Sequence, residues 1–358
     1  MASDTRKRFQ DDPSRVRITD VAKLAGCAPA TISRAINYPE KVSPERRARI
    51  ENAMLELGYV RNHAARALRS QRSHMVGVLI PTLDYALYAR LVGAANGKFS
   101  EAGISTLIAT FDYDLDAELK EARLLLERGA EALILVGDRH RPKLYDLLDQ
   151  YEVPFVNTYV YNAASAYPTV GFDNSAAAAK AAQHLVHLGH KNICVISGIT
   201  KDNDRTTRRL EGIRAELLRH GIELPESMVA ERPYSISNGR RACALLLSRG
   251  NPRPTAIICG NDVLALGALI ECAAKGMEIP GDISVVGFDN LEYAAHSNPP
   301  LTTVDVPAEE MGADAAGYIL GKLNGNEVAT HVLVEVQLIL RNSSAPPKWP
   351  GALADPNR

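Results

Sequence analysis

The sequence contains little cysteine and no long hydrophobic run. Its 358 residues include 5 cysteines, which are widely spaced and form no CxxC pair. This pattern argues against a disulfide framework and favours a reducing compartment. No apolar run approaches the roughly 18 residues of a transmembrane helix. The polar first 17 residues lack the hydrophobic segment of a secretory signal, so we expect a cytoplasmic location.

The sequence also lacks catalytic and metal-binding motifs. It contains no P-loop, no GxGxxG after a predicted strand and no GxSxG. The segment DYDLDAELKEAR begins like an EF-hand, but Ala117 and Arg123 replace the glycine and the bidentate glutamate that calcium requires. His184, His187 and His190 recur at every third position, but no carboxylate completes a ligand set. We therefore predict no metal, no cofactor and no enzymatic activity.

The net charge of −1 conceals an uneven distribution of charge along the chain. Residues 1–72 contain 15 Lys and Arg against 8 Asp and Glu, whereas the remaining residues contain 26 against 34. A basic N-terminal piece on an acidic body indicates a head that binds a polyanion. A solvated, arginine-rich surface without a partner is the alternative on charge alone.

The chain is too long for one ordinary core, so two or three domains are expected. Residues 18–60 have the periodicity and start signals of three short helices, the first signal being Thr19. From Met75 onward, apolar runs such as ALILVG and ISVVGFD alternate with amphipathic stretches such as ELKEARLLLERG. This alternation predicts an α/β core of two doubly wound lobes, with a ligand crevice at the strand carboxyl ends.

The stretch ITDVAKLAGCAPATISRAIN predicts two helices separated by a tight turn at Gly26. Val21 and Leu24 of the first helix are expected to pack on Ile32 of the second. The polar residues then face outward, namely Thr31, Ser33, Arg34 and Asn37. In a helix-turn-helix protein the second helix enters the major groove, where an arginine reaches a guanine edge or a phosphate.

Two other interpretations stay open at this point. Any helical hairpin shows a similar pattern, so the motif alone is only moderately specific. The competing class of protein is a cytosolic small-molecule binding protein, or an α/β enzyme, with an incidental basic N-terminal segment.

Longer segments of the chain resemble one family. ITDVAKLAG, VSPERRARIENAMLELGY, HLGHKNICVISG and IPGDISVVGFDN occur in this order, and the chain resembles the LacI/GalR family of bacterial repressors over about residues 18–345. The resemblance implies a helix-turn-helix head, a hinge helix and a two-lobed core like a periplasmic sugar-binding protein. It also implies a homodimer on near-palindromic operator DNA in the bacterial nucleoid.

The resemblance also implies the domain boundaries. The expected parts are a disordered basic tail (1–17), the helix-turn-helix domain (18–61), the hinge (62–74), the core (75–345) and a disordered tail (346–358). Within the core, the N-terminal lobe is expected at about 75–174 and 305–335, and the C-terminal lobe at about 175–304 and 336–345.

For DNA binding, the resemblance implies contacts from the head and the hinge: Thr19, Pro29, Ala30, Thr31, Ser33, Arg34, Asn37, Asn62, Ala65 and Leu68. Pro29, Ala30 and Arg34 match base-reading positions. Leu68 matches a leucine that wedges into the minor groove and kinks the duplex, although a linker residue on its own domain is the alternative. One departure is Ala28, where the family usually has an N-cap serine; its loss costs roughly 1 kcal/mol, which Pro29 partly offsets.

For the effector, the resemblance implies contacts from both lobes: Leu87, Tyr88, Asn157, Asp173, Arg205, Arg209, Tyr234, Asn261 and Asp289. Arg209 matches an arginine that grips sugar hydroxyls or a carboxylate, and Tyr234 matches an aromatic residue that stacks on the effector. The segment DYALYAR departs from the family's usual NPFF. Structural capping or packing is the alternative for Asn157, Asp173 and Tyr234.

The segment DNDRTTRR places Arg205, Arg208 and Arg209 close together. If more than one of them faces the crevice, an anionic effector such as a sugar acid is favoured, whereas a helix-terminal charge cluster is the alternative. NYPEKVS and VGFDN resemble gluconate-type repressors. We therefore predict a DNA-binding repressor whose operator affinity is controlled by a sugar or sugar acid bound between the two lobes.

Overall fold

The computed structural model describes residues 16–60, 72–249 and 253–348. The chain divides into two compact units, Met1–Ser73 and His74–Arg358. Several predictions fall outside the described ranges: the basic tail up to residue 15, the hinge from residue 62 to residue 71, and the C-terminal tail from residue 349. No helix in the described ranges is both long and apolar enough to cross a membrane.

The described residues of the first unit form three α-helices: α1 (Ile18–Leu24), α2 (Pro29–Asn37) and α3 (Pro44–Glu56). A short 3₁₀ turn, Pro39–Lys41, follows α2. The first helix begins at Ile18 rather than at Thr19, because the backbone N–H of Arg17 donates to the Asp20 carboxylate at 2.7 Å and closes the first turn. Gly26 has φ +62° and makes the turn between α1 and α2, as the sequence predicts.

The core of the first unit is small. Val21 and Ile32 are completely buried, and Ile50 of α3 packs in the same cluster. Leu24 was expected in this core but is 46% exposed. The buried residues of α1 are Val21 and Ala22, and its C-cap residue Ala25, four residues after Val21, packs in the same cluster, so Leu24 falls beside this buried side.

The second unit contains twelve strands among its described residues. In chain order they are β1 (Met75–Ile80), β2 (Ser105–Thr110), β3 (Leu133–Val136), β4 (Phe155–Thr158), β5 (Thr169–Gly171), β6 (Ile193–Ser197), β7 (Val229–Glu231), β8 (Ala256–Cys259), β9 (Ser284–Asp289), β10 (Thr302–Asp305), β11 (His331–Leu333) and β12 (Gln337–Ile339).

Helices connect these strands and cover the sheets. In chain order they are α4 (Ala86–Glu101), α5 (Leu115–Glu127), α6 (Pro142–Gln150), α7 (Asn174–His187), α8 (Asp204–Arg219), α9 (Ile236–Arg249), α10 (Asp262–Ala274), α11 (Glu292–His296) and α12 (Ala308–Leu323). A 3₁₀ turn, Glu226–Met228, precedes β7.

The strands form two six-stranded sheets, in the orders β11-β5-β4-β3-β1-β2 and β12-β10-β9-β8-β6-β7. Every described pairing is parallel except that of β10 with β12. Strands such as β3 (LILV) and β8 (AIIC) are buried along their whole length, which is typical of a parallel sheet covered on both faces. The two predicted α/β lobes are therefore present, and we call the first sheet with its helices the N-lobe and the second the C-lobe.

The chain passes between the lobes three times, after β5, after β10 and between β11 and β12. Helix α8 begins beside the crevice between the lobes, on the C-lobe side, and packs against α7. A Cβ atom at Gly212 would overlap the backbone carbonyl of Ser175, so glycine permits this close approach. This close packing holds α8 against α7 beside the site described next.

Candidate functional site

The first candidate surface is the exposed side of α2. Pro29, Ala30 and Arg34 are exposed, while Thr31 and Ser33 are half-buried. Five predicted DNA contacts do not belong to this described surface. Thr19 is exposed, but on α1. The side chain of Asn37 and the residues Asn62, Ala65 and Leu68 are not among those that the structure describes.

Helix α2 begins at Pro29, and its N-cap residue Ala28 makes no side-chain capping bond. Pro29 has no N–H, and the N–H groups of Thr31 and Ile32 donate to the carbonyl of Ala28 at 2.8 and 3.3 Å, so backbone contacts rather than a side chain close the first turn. Arg34 supplies a cation one turn further along the same helix. This side of α2 combines the hydroxyl groups of Thr31 and Ser33 with the positive charge of Arg34.

The second candidate site is the crevice between the lobes. A cavity of about 750 Å³ lies there, and Tyr85, Tyr113 and Tyr234 are among the residues that line it. Its charged lining residues are Asp84, Asp112, Asp114, Asp116, Arg141, Lys201 and Asp202. Asp116 and Arg141 form an ion pair at 2.8 Å, so the remaining charge at the mouth is negative. Of the nine predicted effector residues, Tyr234 alone lines the cavity within the described part of the chain.

Tyrosines from both lobes meet in the crevice. The rings of Tyr85 and Tyr234 are stacked, with centroids 5.8 Å apart and planes 14° apart, and Tyr113 lies 6.3 Å from Tyr234. The Tyr234 hydroxyl is 2.8 Å from Thr206 Oγ1 on α8, which fixes the ring. Of these four residues, the sequence predicted only Tyr234. Tyr85 and Tyr113 lie in the loops that follow β1 and β2, and a position after a strand carboxyl end was the signal that could have identified them.

Behind these rings lie two further predicted residues. Tyr88 is buried and its hydroxyl is 3.3 Å from that of Tyr113. Burial raises the pKa of both phenols, so they stay protonated and act as hydrogen-bonding groups at neutral pH. Leu87 is a core residue, and its backbone carbonyl accepts from the Tyr159 hydroxyl at 2.8 Å.

Arg209 of α8 reaches the carboxyl ends of the C-lobe strands. Its Nε donates to Asn174 Oδ1 at 3.0 Å, and its Nη1 donates to the carbonyl of Gly260 at 2.9 Å. The guanidinium carbon lies 4.3 Å from the centre of the Phe288 ring. Burial lowers the pKa of Arg209. Among the described residues no carboxylate forms an ion pair with it, so its charge is available to a ligand.

Several polar atoms at strand carboxyl ends are buried without a hydrogen-bond partner among the described residues. They are both carboxylate oxygens of Asp289, Nδ2 of Asn261, Oδ1 of Asn157 and the hydroxyl of Tyr85. Burial raises the pKa of Asp289 well above its ordinary value, and the nearby backbone N–H of Asp262 offsets only part of that rise. Unpaired buried polar groups are costly, and a cluster of them is typical of a site that awaits a polar ligand.

Two predicted residues also act as helix caps. Asp173 accepts from the backbone N–H groups of Ser175 and Ala176 at the start of α7, at 2.9 and 3.0 Å. Asn261 accepts from the N–H of Leu264 at the start of α10, at 2.8 Å, which leaves its Nδ2 group for another partner. Asp173 is exposed to solvent, so its capping of α7 explains its presence at this position without an effector contact.

The two remaining arginines of the DNDRTTRR segment already have acidic partners. Arg205 lies 2.8 Å from Asp204, and Arg208 lies 2.7 Å from Asp138. Both arginines are held within the protein, and their charges are neutralised. Arg209 alone is left without an acidic partner among the described residues, so the condition under which the sequence favoured an anionic effector, more than one of these arginines facing the crevice, is not met.

Two of the three histidines of the HLVHLGH segment contact residues 344–345, and the third, His187, lies against the ring of His220. His184 lies 2.9 Å from Ser344 Oγ, and His190 lies 2.9 Å from both Thr255 Oγ1 and the carbonyl of Ala345. No group of three His, Cys, Asp or Glu side chains within the described ranges is arranged to hold a metal ion.

Comparison with known proteins gives two family matches. Residues 17–62 match the family described as "Bacterial regulatory proteins, lacI family", and residues 182–344 match "Periplasmic binding protein-like domain". The HTH-type transcriptional regulator DegA of Bacillus subtilis is 30% identical over 93% of this chain and 99% of its own length. The HTH-type transcriptional repressor CytR of Escherichia coli is 31% identical over 91% of this chain and 95% of its own.

Solved structures with the same fold include a LacI-family regulator from Silicibacter pomeroyi, with a TM-score of 0.82, 26% identity and coverage of 92% of this chain and 99% of its own. The lac repressor dimer bound to operator and the anti-inducer ONPF has a TM-score of 0.81, with 27% identity and coverage of 92% and 99%. A CelR–cellobiose complex has a TM-score of 0.68, with 29% identity and coverage of 92% and 100%. These likenesses confirm the predicted fold class.

Proposed function

The chain belongs to the LacI family of bacterial regulatory proteins, and we propose that it represses transcription by binding operator DNA through its first unit. The relatives are transcriptional regulators, which confirms that the function is regulation rather than catalysis. The observation that carries the DNA-binding proposal is the exposed side of α2, which stands on a buried helix-turn-helix core.

In this proposal α2 enters the major groove with its N-terminal end toward the bases. Arg34 contacts a guanine edge or a phosphate, and Thr31 and Ser33 contact phosphates. Leu68 is the proposed minor-groove wedge at the operator centre. A second copy of the chain binds the other half-site, an arrangement supported by the similar structure of a repressor dimer on its operator.

An operator selected from a random palindromic library tests this proposal by fluorescence anisotropy. We expect Arg34→Ala to lower specific affinity by about 5- to 150-fold, since one good base contact contributes about 1–3 kcal/mol of discrimination. Arg47→Ala is the matched control, because Arg47 pairs with Glu51 on α3 and should change at most sequence-independent affinity. Failure to select any sequence would refute the proposal.

We also propose that the effector is a neutral, polyhydroxylated sugar bound between the lobes. The unpaired oxygens of Asp289 and Asn157 suit hydroxyl donors, and Nδ2 of Asn261 suits a hydroxyl acceptor. Tyrosine rings supply an apolar surface for the CH face of a sugar. The negative charge at the mouth disfavours an anion, and the similar CelR structure contains cellobiose.

A sugar acid is the second candidate, and one observation favours it. Arg209 is half-buried without a carboxylate partner among the described residues, and a ligand carboxylate would satisfy it. Matched pairs of a neutral sugar and its acid decide between the two classes in a thermal-shift screen of the full chain. At 100 times its Kd, a ligand adds about 2.7 kcal/mol of stability. Stabilisation by acids alone would refute the neutral-sugar proposal, and no stabilisation by either class would refute both.

A further inference from the structure

The lobes are joined across the crevice by polar contacts between two short segments. Arg205 Nη1 donates to the carbonyl of Val136 at 3.0 Å, at the end of β3. The backbone N–H of Asp138 donates to Asp204 Oδ2 at 3.0 Å. Arg208 Nη2 donates to Asp138 Oδ2 at 2.7 Å. We call Asp138, Asp204, Arg205 and Arg208 the interlobe latch.

Charge and burial make this cluster different from a surface ion pair. Asp204 and Arg205 are only 7% and 5% exposed, and their own ion pair spans 2.8 Å. The latch contains two carboxylates and two guanidiniums, so its charges balance only while Asp138 of the N-lobe remains beside Arg208 of the C-lobe. The pair that spans the lobes, Asp138 with Arg208, is 13% and 33% exposed, and charge-assisted hydrogen bonds partly shielded from water are stronger than fully exposed ones. Separation of the lobes would break both direct Asp138 contacts at once.

A histidine–glutamate pair supports the N-lobe loop that contains Asp138 of the latch. The carbonyl of Gly137 lies 3.1 Å from His140 Nε2, and His140 Nδ1 lies 2.8 Å from Glu118 Oε2. Gly137 has φ +90°, and a Cβ atom there would overlap the guanidinium of Arg205. The loop is therefore shaped to receive Arg205.

The C-lobe side of the latch shares a helix with the crevice. Thr206, which holds Tyr234, lies between Arg205 and Arg208 in the chain, and Arg209 follows directly. A movement of α8 that breaks the latch would therefore also move Thr206 and Arg209.

We propose that the interlobe latch holds the two lobes together in the absence of effector and so controls access to the crevice. Opening of the latch is the step that admits ligand. This consequence for ligand entry rests on the proposed effector site, whereas the latch itself is a property of the ligand-free chain.

Amide hydrogen exchange of the ligand-free, full-length chain tests the latch without DNA or effector. The readout is the N–H of Asp138, which donates across the crevice. We expect Arg208→Gln to speed its exchange at least about tenfold, since a hydrogen bond to a charged group contributes about 1.5–3 kcal/mol. Arg208→Lys keeps the cation and should restore most of the protection. Arg240→Gln is the matched control, because Arg240 pairs with Glu271 within the C-lobe at 3.1 Å.

Asp204→Asn provides a second variant, and circular dichroism establishes that each variant is folded. If Arg208→Gln is folded and Asp138 exchanges within twofold of the wild type, the latch is refuted. Equal acceleration by Arg240→Gln would also refute it, because the effect would then be general loosening.

Once a sugar is found, the variants should bind it about tenfold faster in stopped flow, and an unchanged association rate would refute control of access. If the exchange of the Asp138 N–H is faster in the variants but no sugar binds, the latch is supported and the proposed effector is refuted.

Discussion

Replacement of Asp289 by asparagine should stabilise the ligand-free protein and abolish its response to effector. Asp289 is completely buried, and neither carboxylate oxygen has a hydrogen-bond partner among the described residues. Asparagine has nearly the same shape and also tolerates the φ of +116° at this position. The substitution removes a buried charge that only a ligand would satisfy.

The magnitude follows from the cost of an unsatisfied buried polar group, about 1–3 kcal/mol and more for a charge. The asparagine amide keeps part of that cost, so we expect a gain of about 1–3 kcal/mol at pH 8, or roughly 2–10 °C in Tm. The gain depends on pH, because the pKa of Asp289 is raised above its ordinary value of 3.8. An acid with a raised folded-state pKa loses stability as pH rises above its ordinary value. The advantage of Asp289→Asn should therefore shrink as the pH falls toward 4.

Differential scanning calorimetry at pH 5 and pH 8 is the assay, and Asp262→Asn is the matched control. Asp262 is also buried, and burial raises its pKa to about 7, but it accepts from Thr303 Oγ1 at 2.6 Å and from the N–H of Leu291 at 2.8 Å. Replacement of this satisfied carboxylate also removes a raised-pKa acid but loses two hydrogen bonds, so its gain at pH 8 should be smaller than that of Asp289→Asn by about 1–3 kcal/mol. A lower Tm for Asp289→Asn at pH 8, or a gain for Asp262→Asn as large as that for Asp289→Asn, would refute the reasoning.

Two further predictions concern the support of the latch. Burial lowers the pKa of His140, but the hydrogen bond and charge of Glu118 raise it by more, so the pKa lies above its ordinary value. The His140–Glu118 pair therefore stabilises the fold fully below pH 6.5 and less as the pH rises. Urea denaturation should therefore show Glu118→Gln to be less stable by about 1.5–3 kcal/mol at pH 6 and by less at pH 9, and an equal loss at both would contradict this. Gly137→Ala and Gly103→Ala should both lose about 1–2 kcal/mol to left-handed backbone strain. Gly137→Ala alone should also displace Arg205, and equal losses in Tm would contradict that.

The fold was predictable because its signals are local. Gly26 needs a left-handed conformation where two apolar helical patterns meet, and that signal lies within twenty residues of sequence. The buried strands read as apolar runs because both faces of each sheet are covered. Leu24 was misplaced because a seven-residue helix buries only a narrow stripe, and periodicity alone does not say which of two adjacent apolar positions occupies it.

The candidate site was predictable only in part, because its partners are distant in sequence. Asn261 and Asp289 lie buried at strand carboxyl ends, and their contact with an effector stays a prediction. The neutralisation of Arg208 was not predictable, since Asp138 is 70 residues away along the chain. The run of three arginines therefore suggested more positive charge in the crevice than the structure contains.

The burial of the predicted contacts also requires a movement of the lobes. Asp289, Asn261 and Asn157 are all completely buried, so no effector reaches them in the described arrangement. A sugar between Tyr85 and Tyr234 needs about 4 Å to each ring, or roughly 8 Å in all, whereas their centroids are 5.8 Å apart. Ligand entry must therefore spread the lobes and break the contacts of α8 with the N-lobe. Since an effector shifts an equilibrium only by its differential affinity for the two states, the strength of the interlobe latch sets how much binding free energy the effector must supply.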